Sequence, residues 1–210
     1  MSVLKTARRK AIVEEAKKLY LEKGVEQVTI QDLANHLSMG EATLYRYFGK
    51  KQVLVVEAAI LTWENILKEM QALPEKPTGF ENLKDFFGFF LVIFQEHPEF
   101  YQFVEAFDQL LSKEPLAEEL LKSYEEVIID IKHRFDAFYE QGLKDGSVKG
   151  VVDQEVFYFS TSHALLGLCK KLASGKGLLK YEDNLSKMAQ IDSLIHICLA
   201  YIAGERSVHS

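Results

Sequence analysis

Within nine residues, Thr43, Tyr45, Arg46, Tyr47, Lys50 and Lys51 gather three hydroxyl donors, a guanidinium and two ammonium groups. No nucleophile and base are paired among them, so the set does not suit covalent catalysis. It suits a polyanion. A guanidinium fork matches a phosphate or the N7/O6 edge of guanine, while ammonium and hydroxyl groups meet phosphate oxygens. Leu44 and Phe48 lie four residues apart and give the same stretch one apolar side. That is the pattern of a short helix starting at Glu41, with Gly40 as a permissible cap and the polar residues around its exposed face. Backbone N–H groups at such a start favour an anion. Glu41 runs against this: its carboxylate suits the helix dipole but repels phosphate, or else accepts from a cytosine amino group.

The elements that position these residues can be read on either side. Thr29 followed three residues on by Asp32 is a capping-box-like start, and Ile30, Leu33, Ala34 and Leu37 continue it as one apolar stripe. Capping is the first reading of Thr29, with donation to a phosphate the second. Ser38-Met39-Gly40 interrupts the pattern before the next helix. Two short helices joined by a glycine-containing turn form a helix-turn-helix, whose second helix enters the DNA major groove. Ahead of it, Thr6 to about Glu22 predicts a first helix with Ile12, Ala16, Leu19 and Tyr20 on one face and Gly24 as its stop. Arg8, Arg9 and Lys10 at its start either reach phosphates or are solvated surface charge.

The whole stretch, TIQDLANHLSMGEATLYRYFGKK (Thr29–Lys51), resembles the DNA-binding signature of the TetR family of transcriptional regulators. GLKDGSVKGVVDQE (Gly142–Glu155) is also similar to that family, though less diagnostic. The resemblance implies an all-α chain of about nine helices. Residues 1–51 would be a three-helix DNA-binding domain and residues 52–210 a helical ligand-binding and dimerisation domain. It further implies DNA contacts from Thr29, Glu41, Ala42, Thr43, Tyr45, Arg46, Tyr47, Lys50 and Lys51, with Lys51 meeting a phosphate at the start of the fourth helix. Arg46 reads guanine or pairs with phosphate. Two residues depart from the family pattern: Ser38 stands where a glycine is common, and Glu41 where a lysine or polar residue is frequent. If Ser38 is left-handed, the cost is roughly 1–2 kcal/mol.

Charge distribution agrees with a DNA-binding head. Residues 1–52 hold ten Lys/Arg and six Asp/Glu, a net of +4, while the other residues carry −10, for an overall −6. Phosphate neutralisation is the sequence-independent part of DNA affinity. At 210 residues, 48% hydrophobic and 27% charged, the chain can bury a substantial core and is not of disordered composition. No apolar run approaches the ~18 residues of a membrane span, and MSVLKTARRK has no apolar core after its charges, so a cytoplasmic protein without a membrane partner is expected. Cys169 and Cys198 are far apart within apolar patterns, which predicts buried thiols.

Beyond the head, Lys50 to about Ala72 predicts a long connecting helix, and Pro74, Pro77 and Gly79 a linker. Phe80–Leu111 is unusually aromatic, on two helices separated near His97-Pro98. Aromatic residues around a whole helix imply burial on more than one side. They either fill a core or line an apolar effector pocket, as the resemblance implies. Trp63, Phe86, Phe90, Phe94, Tyr101, Phe107, Tyr124, Phe135, Phe159 and His163 are the candidate lining residues. His163 has the further reading of a buried or interface histidine. Leu116–Leu143 predicts a long amphipathic helix, and Gly142, Gly146 and Gly150 a punctuated loop. Two final helices, about Asp153–Ser174 and Asn184–Ala203, are apolar on two sides, which suits packing on their own body and on a second copy. That resembles the family's dimer interface and gives a palindromic operator.

Catalytic patterns fall short. Ser174-Gly175-Lys176-Gly177 lacks the GxxxxGK[ST] spacing, no serine sits in a GxSxG elbow, and the His/Cys pairs near 163–169 and 196–198 form no metal-ligand array. No catalytic residue, metal or cofactor is expected. The reading is a homodimeric TetR-like regulator, a repressor released from double-stranded DNA by a small hydrophobic or amphipathic effector. Two alternatives stay open: a ligand-binding helical protein whose head no longer binds DNA, which Glu41 favours, and an all-helical enzyme using the aromatic region.

Overall fold

Nine α-helices and one 3-10 turn account for the regular structure of the described residues. The computed structural model describes residues 3–113, 117–149, 153–175 and 178–204. In chain order the helices are α1 (Val3–Lys23), α2 (Ile30–His36), α3 (Glu41–Phe48), α4 (Lys51–Ala72), α5 (Gly79–Glu96), α6 (Pro98–Lys113), α7 (Glu118–Asp145), α8 (Gln154–Ser174) and α9 (Lys187–Ala203). The 3-10 turn, Lys180–Asn184, ends at the expected start of the last helix, which begins at Lys187. Leu116 at the expected start of the seventh helix, Gly150 in the loop, and Lys176 and Gly177 lie outside the described residues.

The helices divide between two compact units, one of Met1–Lys68 with Gln102–Ile128 and the other of Glu69–Tyr101 with Ile129–Ser210. In the first unit the caps and turns are written locally. Gly24, at φ +86°, ends α1, its N–H donating to the Tyr20 carbonyl at 2.9 Å. Thr29 then caps α2 reciprocally: the Asp32 N–H donates to Thr29 Oγ1 at 3.1 Å and the Thr29 N–H to Asp32 Oδ2 at 2.8 Å. Those bonds from the Thr29 hydroxyl and backbone hold the Asp32 carboxyl below its ordinary range.

The core of this unit draws on more than its first three helices. Ile12, Ala16, Leu19 and Tyr20 of α1, Leu33 of α2, and Leu44 and Phe48 of α3 cluster with Leu54, Val55 and Ala58 of α4 and with Phe103 and Phe107 of α6. Phe107 lies 5.0 Å, centroid to centroid, from Tyr124 of α7. The sequence-based boundary after residue 51 therefore cuts through a continuous apolar cluster. Residues of α4 and α6 complete the packing of α1, α2 and α3.

In the second unit α5 packs against α8 and α9. A capping box of Thr78 and Glu81 starts α5, and the Gly79 N–H donates to Asp145 Oδ2 at 2.8 Å. Gly79 is needed there because a Cβ would overlap the backbone of Gly142 and Phe138. Phe135 is fully buried in a ring cluster, 5.6 Å from Phe86, 6.1 Å from Phe87 and 5.0 Å from Tyr158. Cys169 and Cys198 are buried free thiols, and burial pushes both up to about 11.

Candidate nucleic-acid interface

The turn before α3 decides where that helix points. Ser38 adopts φ +50°, the one non-glycine residue at positive φ among the described residues. Around it the Leu37 N–H donates to the Leu33 carbonyl and the Met39 N–H to the Ala34 carbonyl, each at 2.9 Å. These bonds fix the left-handed turn from both sides, so the strain anticipated at Ser38 is present and is held by its surroundings. Gly40 is the N-cap of α3, without a side-chain bond, and leaves the first N–H groups of the helix open.

On α3, Leu44 and Phe48 are buried, while Glu41, Ala42, Tyr45 and Arg46 are exposed and Thr43 and Tyr47 half-buried. One helix face thus offers a carboxylate, a methyl, a phenol and a guanidinium. Gly49 ends the helix at φ +73°, and the exposed Lys50 follows it. Thr29 is exposed as well, although its hydroxyl already serves the Asp32 cap.

Lys51 is placed differently. It is half-buried, and its ammonium donates to the Val25 carbonyl at 2.6 Å. Desolvation there lowers its pKa, with Glu26 and Asp32 acting in the opposite direction. One of its three protons therefore ties the start of α4 to the end of the α1 turn. Arg9 is committed further still. Its Nε donates to Glu57 Oε2 at 2.9 Å, its guanidinium bonds the Tyr47 carbonyl, and its charge sits 4.3 Å from the Phe48 ring centroid. Neither a phosphate contact nor solvated charge describes it: Arg9 clamps α1 to α3 and α4. Its partners lie 38 to 48 residues away, beyond the reach of any local spacing rule.

The ten candidate effector-lining residues divide between the two units. Trp63, Phe107 and Tyr124 belong to the first unit, where Phe107 is packed in the core cluster. Phe86 and Phe135 sit in the filled ring cluster of the second unit. Phe94 lies 6.1 Å from Tyr101, whose hydroxyl donates to the Phe90 carbonyl at 2.7 Å. Phe159 and His163 are neighbours on α8, both exposed, with ring centroids 5.9 Å apart, so His163 is not the buried histidine of the alternative reading. A cleft lined by Phe86, Met70, Arg134 and Phe138 measures about 10 Å³, the room of a single water.

Residues 12–58 match the sequence profile of bacterial regulatory proteins of the tetR family. The head is similar to the TetR-family DNA-binding domain. Its bounds run from the core of α1 through the turn and α3 into α4, the same residues that form the helix-turn-helix and its support. Solved TetR-family structures extend the likeness to the rest of the chain. The regulator PfmR from Thermus thermophilus superposes with a TM-score of 0.61 at 23% identity, covering 88% of this chain and 97% of that one. FadR from Bacillus subtilis, solved with stearoyl-CoA, gives 0.60 at 17% identity, covering 90% and 96%. A TetR/AcrR-family regulator from Thermobifida fusca gives 0.62 at 16% identity, covering 95% and 99%. No curated protein matches the chain in sequence. At these identities the likeness is one of fold: an N-terminal TetR-type head followed by a helical body.

Proposed function

We propose that the chain is a homodimeric TetR-type transcriptional regulator, a repressor that α3 anchors in the major groove of a palindromic operator. The observation that carries this reading is the face of α3. Glu41, Ala42, Tyr45 and Arg46 are exposed on a helix whose opposite side is locked into the core by Leu44 and Phe48. A rigid helix with outward donors is what base-edge and phosphate recognition needs. Thr43 and Tyr47 at the flanks and Lys50 after Gly49 supply phosphate contacts in this scheme, and Lys51 does so with the protons its Val25 bond leaves over.

Dimerisation is proposed through α8 and α9. Val156 is 61% exposed, Ile197 64% and Tyr201 57%, with Phe159 also exposed, an apolar surface of the kind that a second copy covers. Two-fold pairing would set two α3 helices at half-sites ~34–36 Å apart or a multiple of it. A small apolar or amphipathic effector would release DNA by its differential affinity for the two states of the dimer. The stearoyl-CoA bound by the Bacillus subtilis relative supports that ligand class. Among the described residues no helix is long and apolar enough to cross a membrane, which fits a cytoplasmic regulator.

Selection from a random duplex library at two salt concentrations tests the proposal. A recovered palindrome whose affinity falls steeply with salt supports it. Recovery of no sequence above background, at either salt, overturns the DNA reading.

A further inference from the structure

We infer that the head carries an anion-binding cleft of its own. Between the α1–α2 connection, the start of α4 and the last turns of α6 opens a cleft of about 470 Å³, within the range of small-molecule sites. Lys50, Lys51 and Lys113 line it together with Glu26, Asp32 also acting on Lys51, while Val55 and Leu110 give it an apolar wall. The excess of positive charge is local, in a chain whose overall charge is −6.

The lysines are available to a ligand. Lys113 meets Glu26 at 3.8 Å, but both side chains are about two-thirds exposed, at 66% and 69%, and such a pair contributes little. The Lys50 ammonium has no partner among the described residues, and Lys51 keeps two protons beyond its bond to the Val25 carbonyl. An ammonium held partly out of water gains more from an anion than a solvated one does. Three lysines lining one cleft beside an apolar wall select an amphipathic anion: one carboxylate, phosphate or sulfonate head with a short apolar portion. A neutral molecule of the same length would leave the lysines unanswered. Because Lys50 and Lys51 also belong to the proposed duplex-facing set, such an anion would compete with phosphates for them; this consequence rests on the DNA-binding reading.

The test uses the full chain with 8-anilinonaphthalene-1-sulfonate as fluorescent probe, displaced by octanoate or by octanol. Octanoate is expected to displace a saturable share of the probe that octanol leaves in place. Lys113→Gln and Leu110→Asn should each weaken octanoate about five-fold or more, with unchanged helical circular dichroism. Unchanged octanoate affinity in either variant, or displacement by octanol equal to that by octanoate, overturns the inference. A bound duplex should be released from the wild type at lower octanoate than from Lys113→Gln. Failure to bind any duplex would sink the DNA reading and leave the probe titration to decide the cleft alone.

Discussion

The outward face of α3 and the outward faces of α8 and α9 are both exposed and both left uncovered, yet they are opposite in chemistry. On α3 the exposed residues are Glu41, Ala42, Tyr45 and Arg46. On α8 and α9 they include Val156, Phe159, Ile197 and Tyr201. Polar groups on a helix lose nothing by waiting in water, so the first face can remain open until a polyanion arrives. Large apolar groups do lose by it, and a patch of this kind calls for permanent cover. The difference teaches that the two surfaces should answer oppositely to salt: association through α3 weakens as salt rises, and association through α8 and α9 does not.

The largest expected effect separates them. Ile197→Glu places a carboxylate on each copy within the proposed interface, where an uncompensated buried charge costs on the order of 3 kcal/mol or more. Sedimentation should show the wild type as a dimer at micromolar concentration and the variant as a monomer with unchanged helix content. A variant that sediments as the wild type does would remove α9 from the interface. Next in size, Arg46→Ala should cost about 1–3 kcal/mol of duplex affinity and leave the sedimentation profile alone. Salt then sharpens the result. Relaxed preference at one base pair assigns Arg46 to a base edge, whereas uniform weakening with a shallower salt dependence assigns it to a phosphate.

A smaller effect is expected at the turn that aims α3. Ser38 holds φ +50° without the freedom glycine has there, so Ser38→Gly should stabilise the head by about 1 kcal/mol. In a chain of this length that is a rise of roughly 2–4 °C in melting temperature. A fall would mean that the serine side chain contributes something the backbone bonds around it do not.

How much of this was legible in the sequence follows from the range of the interactions. Thr29 with Asp32, Gly24, Gly40 and the Leu44/Phe48 pair act within four residues, and the chain spells them out; the observed caps and bounds agree with the reading to within a few residues. The left-handed turn at Ser38 was visible as a departure from a family pattern. Arg9 was not legible, because a basic residue at a helix start has the same local signature whether it meets DNA, water, or Glu57 and Phe48. The aromatic residues were ambiguous for a related reason. Helical spacing places Phe107, Tyr124 and Phe135 on apolar faces but does not show what covers them, and packing places Phe107 in the head's core and Phe135 in a ring cluster. The motif ends at residue 51, while the apolar cluster around it continues into α4 and α6. The lysine cleft was invisible for the same reason, since Lys50 and Lys113 line one cleft only when α6 lies against the start of α4.

The smallest effect serves as the control for both faces. Tyr20 is 1% exposed among the packed side chains of the first unit, and its buried hydroxyl has no hydrogen-bond partner among the described residues. Burial raises its pKa well above the usual phenol range. A buried hydroxyl without a partner carries its desolvation cost with no return. Tyr20→Phe removes that cost and leaves only a small void, two terms of opposite sign. The expected outcome is a change between zero and about 1 kcal/mol in favour of the folded state, read by urea denaturation with an unaltered slope. Duplex affinity and dimerisation should not move. A loss of more than about 1 kcal/mol would show that the hydroxyl is bonded after all, to a water or ligand within the head, and would make Tyr20 a residue of the site rather than of the core.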